Sequence, residues 1–151
     1  MRTTLMVLGA LMAGMPVLAQ TKPQGEEAAV RQVVESYLHG LKFNDVEGLK
    51  KAFWPEAKLF FVGKGGKLGE LTQETWYKGF AASAGKEEQG DLRITAVEVT
   101  NNAASVKVVE DYPGTPPTRY TDYLSLLKLE GRWWIVNKIY TMERMQGAAS
   151  Q

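Results

Sequence analysis

Apolar residues recur at helical spacing near the start of the chain. From Glu26 onward they fall three and four residues apart, at Val30, Val33, Val34, Tyr37, Leu38 and Leu41. This spacing predicts an amphipathic helix with one buried stripe. A capping-box-like pair, Asn44 and Glu47, predicts a short second helix, which Pro55 should end. Thr72 is placed to cap a third helix.

The later part of the chain has the alternating pattern of β-strands. We predict short strands at 57–62 and 67–70 and four longer strands at 92–100, 103–112, 120–129 and 132–142. Asn101-Asn102 and Glu130-Gly131 predict two-residue hairpin turns, because both pairs tolerate positive φ. Each helix has one apolar face to bury. The element order therefore predicts an α+β fold, in which a cone-shaped, curved, mixed or antiparallel sheet wraps around three helices.

The first residues have the three-part layout of a secretory signal peptide. Arg2 precedes an apolar run, and Ala19 stands at the expected cleavage site. Gly14 and Pro16 interrupt the run, which argues against a membrane-spanning helix. We expect a signal peptide at 1–19, a flexible leader at 20–25, one domain at 26–143 and a disordered tail at 144–151. The expected location is therefore periplasmic or secreted.

Charge and composition narrow the function further. The chain has 18 basic and 17 acidic residues, and cleavage would remove Arg2 and leave equal numbers. A neutral domain argues against nucleic acid, which requires a basic face. With one histidine, His39, and no cysteine, a His/Cys zinc site is excluded. We expect no cofactor and no metal.

Three segments carry a resemblance to a known family. They are Phe53–Ala57 (FWPEA), Tyr120–Lys128 (YTDYLSLLK) and Gly131–Lys138 (GRWWIVNK). They are similar to the bacterial family called putative lumazine-binding, in the nuclear transport factor 2-like superfamily. The resemblance covers about residues 26–140 and implies a conical cavity and, commonly, a homodimer. The superfamily includes isomerases, dehydratases, cyclases and non-catalytic binding proteins, so it does not select a reaction.

Two positions depart from the relatives. They often carry histidine where this chain has Trp54, and aspartate where it has Glu56. An indole cannot exchange a proton near neutral pH, so an acid–base role at position 54 cannot be carried over.

Pairing the last two strands through a two-residue turn predicts which residues share a face. Leu126 should oppose Ile135, and Leu124 should oppose Asn137. The concave face would then carry Asp122 and Asn137, either as a polar pair that orients a ligand or as a structural pair. A shift of one residue would exchange the two faces. The expected ligand-binding residues are Tyr37, Phe53, Trp54, Phe61, Trp76, Phe80, Asp122, Trp133 and Asn137.

These residues favour an exported protein that binds a small, largely apolar molecule without turning it over. The first alternative is an isomerase, dehydratase or cyclase, with Asp122 as general base and a tyrosine as donor. The second alternative is a dimerisation module without a ligand. The opposite sheet face offers an apolar surplus for a homodimer. Its residues are Tyr123, Leu127, Trp134, Val136 and Tyr140.

Overall fold

A computed structural model describes residues 24–146. The predicted signal peptide and the end of the predicted tail lie outside these residues. Within them, no helix has the length and apolar character that a membrane crossing requires. The first helix begins at Gln24, so the last two residues of the predicted leader, Gln24 and Gly25, are helical.

Three helices pack against one six-stranded sheet. The helices are α1 (Gln24–Lys42), α2 (Val46–Ala52) and α3 (Gln73–Lys78). The strands are β1 (Phe53–Val62), β2 (Leu68–Leu71), β3 (Asp91–Thr100), β4 (Ala103–Tyr112), β5 (Thr118–Leu129) and β6 (Arg132–Arg144). The sheet order is β2-β1-β6-β5-β4-β3, and only the β1–β6 pair among these strands is parallel. The sheet is mixed, curved and unclosed, so the predicted α+β fold is confirmed.

Local sequence signals correctly predicted the start of α3 and two hairpin turns, but not the start of α2. Thr72 caps α3 by accepting a hydrogen bond from the backbone N–H of Thr75. Asn101 and Glu130 have φ values of 53° and 52°, as the predicted hairpin turns require. The predicted cap of α2 is wrong, because Asp45 accepts the hydrogen bond from Gly48. Asn44 instead has a φ of 51°.

The first strand begins earlier than predicted. Phe53, expected at the end of the second helix, pairs with Ile135 of β6. Pro55 lies within β1, where the β1–β6 register shifts between Phe53 and Lys58. Proline has no N–H to donate to the ladder, so this irregular stretch accommodates it.

A β-bulge corrects the predicted register of β5 and β6. Leu126 opposes Ile135 as expected, but the register then shifts, and Ser125 opposes Asn137. The expected pairing of Leu124 with Asn137 is wrong, because β6 contains one extra residue at this point. Lys138 instead opposes Leu124. From the bulge onward, every side chain of β6 therefore lies on the face opposite to the expected one.

The helices cover the concave face of the sheet, which we call the inner face. Its buried core includes Val30, Val34, Leu49, Leu59, Leu124 and Ile135. A cavity remains between the sheet and α3.

Candidate functional site

The cavity has a volume of about 540 Å³ and a mainly apolar wall. Its apolar and aromatic lining includes Leu41, Leu59, Leu71, Trp76, Phe80 and Tyr140. Cavities of this size, lined by aromatic rings with a few polar groups, are typical of small-molecule sites.

A buried polar network forms one end of this cavity. The Tyr37 hydroxyl donates to Oδ2 of Asp122 and accepts from Nζ of Lys138 at 2.7 Å. Lys138 also forms an ion pair with Oδ2 of Asp122 at 2.7 Å. Oε1 of Glu110 lies 3.1 Å from the same Tyr37 oxygen. Of these four residues, Glu110 and Lys138 line the cavity.

Glu110 is the titratable group whose protonation the network controls. Burial, followed by the nearby charge of Asp122, raises the pKa of Glu110 to about 8, although Lys138 opposes the shift. Of the two carboxyl groups, only that of Asp122 forms an ion pair with Lys138, and the Tyr37 hydroxyl has a single hydrogen to donate. A neutral Glu110 removes the competition for that hydrogen. The network is then balanced, with one negative charge on Asp122 and one positive charge on Lys138.

Asp122 lies beneath the cavity rather than on its surface. Its side chain is 0% exposed, and its second oxygen, Oδ1, has no hydrogen-bond partner within residues 24–146. Tyr37, also 0% exposed, has a pKa raised well above its usual value, first by burial and then by the charge of Asp122. Both residues therefore position Lys138 and Glu110 rather than touch a ligand.

Lys138 is held between aromatic rings. Its Nζ lies 5.2 Å from the ring centre of Trp76 and 5.1 Å from that of Tyr140, and both rings line the cavity. The ammonium group has three hydrogens, and its two hydrogen-bonding partners among the described residues are Tyr37 and Asp122. One N–H is thus left for a ligand.

A loop that closes another part of the wall is tied to the end of α1. The Asn44 side chain donates to the carbonyl of Lys86 at 2.9 Å and to Oε1 of Glu88 at 3.1 Å. The backbone N–H of Glu88 donates to the carbonyl of Lys42 at 2.7 Å. Asn44 and Glu88 both line the cavity. Asn44, with its positive φ, therefore fixes this loop in the cavity wall through its side-chain hydrogen bonds.

The structure brings some of the predicted site residues together. Trp76 and Phe80 lie in the cavity wall, and Tyr37 and Asp122 lie beneath its polar end. Phe53 is buried behind Trp76, with a distance of 5.3 Å between the ring centres.

Other predicted residues lie elsewhere. Phe61 packs beside the cavity residue Tyr140, with ring centres 5.4 Å apart. Trp54 packs against Trp134, away from the cavity, with ring centres 5.7 Å apart. Trp133 donates from its indole nitrogen to Oε2 of Glu26 at 2.7 Å and faces a different groove. Asn137 contacts the carbonyl of Lys58 at 3.5 Å and does not line the cavity.

Glu110 and Lys138 were not among the predicted site residues. Val106, Val108 and Glu110 alternate along β4, and this pattern was enough to place Glu110 on the buried face. For Lys138 the alternation along β6 predicts the wrong face, because the β-bulge lies between the hairpin turn and Lys138. Among the described residues no group of acidic or histidine side chains forms a metal site.

Comparison with known proteins identifies the family. A family model described as "Putative lumazine-binding" matches residues 25–141. An aldolase, FrzH, from a Cladobotryum species is 27% identical over 128 residues, which cover 82% of this chain and 96% of that protein.

Solved structures share the fold. An NTF2-like protein of unknown function from Shewanella baltica OS155 is 27% identical, with a TM-score of 0.72 over 82% of this chain and 98% of that one. The association domain of C. elegans CaMKII is 16% identical, with a TM-score of 0.58 over 78% of this chain and 95% of that one. The chain therefore belongs to the family described as Putative lumazine-binding, and its fold is nuclear transport factor 2-like.

Proposed function

We propose that the protein binds a small, largely apolar molecule in the cavity between the sheet and α3. The observation that carries this proposal is an aromatic cavity of about 540 Å³ that ends in a buried network of charged groups. A buried ion pair is weak support for stability alone, so its place at the end of a cavity favours a role in binding. The family to which the chain belongs points the same way.

Blocking the cavity tests this proposal. Leu71 lines the cavity from β2, whereas Glu70 on the same strand is exposed and does not line the cavity. We expect Leu71→Trp to weaken binding of the neutral fluorescent probe N-phenyl-1-naphthylamine at least about tenfold, because an indole would fill the cavity. Glu70→Trp should bind within about twofold of the unmodified protein. Equal binding by both variants would place the probe elsewhere and contradict the proposal.

A second candidate function is an enzyme that moves a proton next to a carbonyl group. Glu110 reaches the cavity and has a pKa of about 8, so both of its protonation states are populated near neutral pH. The similar protein described as an aldolase supports carbonyl chemistry. In this account the general base is Glu110 rather than Asp122, because Asp122 is 0% exposed.

Hydrogen exchange of 2-tetralone tests the enzyme candidate. The Glu110 carboxylate would remove a proton from the carbon beside the carbonyl, and the electron pair would form an enolate whose oxygen accepts from Lys138. In D₂O, the same carbon would regain a deuteron. We expect exchange at least about 100-fold faster with the unmodified protein than with Glu110→Gln. The exposed control Glu98→Gln should keep the full rate. Equal rates with both variants would exclude Glu110 as the base.

We also infer that two copies pair through the convex outer face of the sheet. Exposed apolar side chains lie there: Val62, Leu68, Tyr123 and Ile139 line one groove, and Leu127 lines a second. Trp134 and Val136 belong to this face as predicted, whereas Tyr140 lies in the cavity wall. A contiguous apolar face is costly in a monomer, and a two-fold axis would cover both copies at once. The likeness to an association domain supports this inference.

Export to the periplasm or outside the cell remains our proposal for location. It rests on the signal-peptide layout of residues 1–19. Mass analysis of the protein from its own host should give a chain that begins at Gln20. A chain that retains Met1 would contradict export by cleavage.

A further inference from the structure

One wall of the cavity belongs to a segment that is loosely packed on the domain. Residues 74–84 contain most of α3 and the turns that follow it. Trp76, Gly79 and Phe80 of this segment line the cavity, but no residue of the segment is buried. Because segments with few buried contacts open at a lower free-energy cost than a core, we expect this wall to open more readily than the sheet.

Hydrogen bonds hold this segment at its two ends. After its end, the backbone N–H of Gly85 donates to the carbonyl of Phe43 at 3.0 Å. Before its start, the side chain of Gln73 is bonded to β1. Among the described residues, no hydrogen bond joins residues 74–84 themselves to the sheet, to α1 or to α2. The segment therefore crosses the cavity wall between two fixed ends.

Trp76 packs the segment onto the core. Its ring centre lies 5.3 Å from that of Phe53 and 6.3 Å from that of Tyr37, and both of these residues are buried. It also meets Phe80 edge to face, with ring centres 5.4 Å apart. Outward movement of the segment would withdraw Trp76 and Phe80 together and open the cavity at this wall.

Gln73 attaches the start of α3 to the sheet. Its side-chain nitrogen donates to the carbonyls of Trp54 and Pro55, each at 2.8 Å, and to that of Ala57 at 3.1 Å. Its side-chain oxygen accepts from the hydroxyl of Tyr77 at 2.5 Å. The amide has two hydrogens, so the three carbonyls share them. One side chain thus joins α3 to three points of β1.

These carbonyls are available because strand pairing is interrupted around Pro55. The β1–β6 register shifts between Phe53 and Lys58, and β2 pairs only with residues 59–62 of β1. A backbone carbonyl outside the ladder needs another donor, and Gln73 supplies one. The irregular stretch of β1 therefore gives α3 its attachment point on the sheet.

We propose that residues 74–84 form a lid over the cavity and that the side chain of Gln73 is the latch that keeps this lid closed. The inference rests on the proposed binding function and describes how the same cavity admits and retains its ligand. With the lid closed, Trp76 and Phe80 cover the bound molecule. When Gln73 releases β1, both rings move outward and the ligand leaves. Gln73 does not line the cavity, so it is a positioning residue that acts through these two rings.

Hydrogen exchange followed by mass spectrometry tests the lid on the unmodified protein. A helix as short as α3 does not persist without packing, so opening exposes its backbone amides. We expect residues 74–84 to exchange at least about tenfold faster than β5. N-phenyl-1-naphthylamine at about ten times its dissociation constant should slow this exchange about tenfold, because the open lid does not retain the probe. Exchange in residues 74–84 that is as slow as in β5, or that the probe does not slow, would overturn the lid.

The variant Gln73→Glu tests the latch without changing the size of the side chain. Its carboxylate has no hydrogen to donate to the three carbonyls. We expect it to release the same probe at least about tenfold faster than the unmodified protein, because the lost hydrogen bonds raise the population of the open lid. Gln32→Glu makes the same change at an exposed position of α1 outside the cavity and should keep the unmodified rate. Stopped-flow fluorescence after dilution of the complex measures the release.

Hydrogen exchange of the variant separates a latch from a residue that supports the whole fold. Gln73→Glu should raise the exchange rate in residues 74–84 and leave that of β5 unchanged. Faster exchange throughout the domain, or equal release rates for Gln73→Glu and Gln32→Glu, would overturn the latch. Binding in the cavity stands in both cases if Leu71→Trp still weakens binding of the probe. Failure of the unmodified protein to bind the probe would contradict the proposed binding function as well.

Discussion

Lys138→Met is expected to lower the free energy of unfolding at neutral pH by about 3–5 kcal/mol. The substitution leaves the carboxylate of Asp122 buried at 0% exposure without its ion-pair partner at 2.7 Å. Oδ1 of Asp122 has no partner among the described residues, and after the substitution no positive charge is left in the network, only the neutral hydroxyl of Tyr37 on Oδ2. Urea denaturation followed by circular dichroism measures this loss.

Two comparisons make this result specific to the buried pair. Lys58 on β1 forms an ion pair with Glu70 at 3.0 Å, with both side chains largely exposed. Lys58→Met should therefore change stability by less than about 1 kcal/mol. The double variant Lys138→Met with Asp122→Asn removes both charges and should be more stable than Lys138→Met alone. If Lys138→Met lowers the free energy of unfolding by no more than Lys58→Met does, the prediction that the buried ion pair stabilises the network is wrong.

Ile139→Glu is expected to convert a dimer to a folded monomer. Ile139 is 52% exposed on the outer face and is paired with Tyr123 on one side and Phe60 on the other. A glutamate there would place two like charges in the proposed interface, whereas in the monomer it would face water. Light scattering at micromolar concentration should give twice the chain mass for the unmodified protein and the single mass for the variant.

Met142 supplies the control for this substitution. It is 48% exposed on the same strand but lies beyond the groove formed by the apolar outer cluster. Met142→Glu should therefore leave the dimer intact. An unmodified protein that is already monomeric at micromolar concentration would contradict the outer-face dimer.

Much of the fold was predictable because its signals are local. The spacing of Val30, Val34 and Tyr37 defines α1, and the turn at Glu130-Gly131 sets the first pairs of the last hairpin. The position of β1 beside β6 was not predictable in the same way, because parallel pairing depends on contacts distant in sequence.

The candidate site was harder to predict, because one extra residue in β6 decides which side chains of that strand face the cavity. From Trp133 to Ile139 almost every side chain of β6 is apolar or large, so neither face is marked by a polar pattern. The bulge between the Ser125 and Leu126 pairs is not marked by a glycine. It placed Lys138 rather than Asn137 beside Asp122, and so turned a predicted polar pair into a buried ion pair at the end of the cavity.

Native mass spectrometry of the protein purified from its own host tests the binding function most directly. We predict that the unmodified protein and the Glu70→Trp control carry a bound small molecule and that Leu71→Trp, which fills the cavity, does not. A bound mass retained by Leu71→Trp, or absent from all three proteins, would contradict a ligand-binding cavity between the sheet and α3.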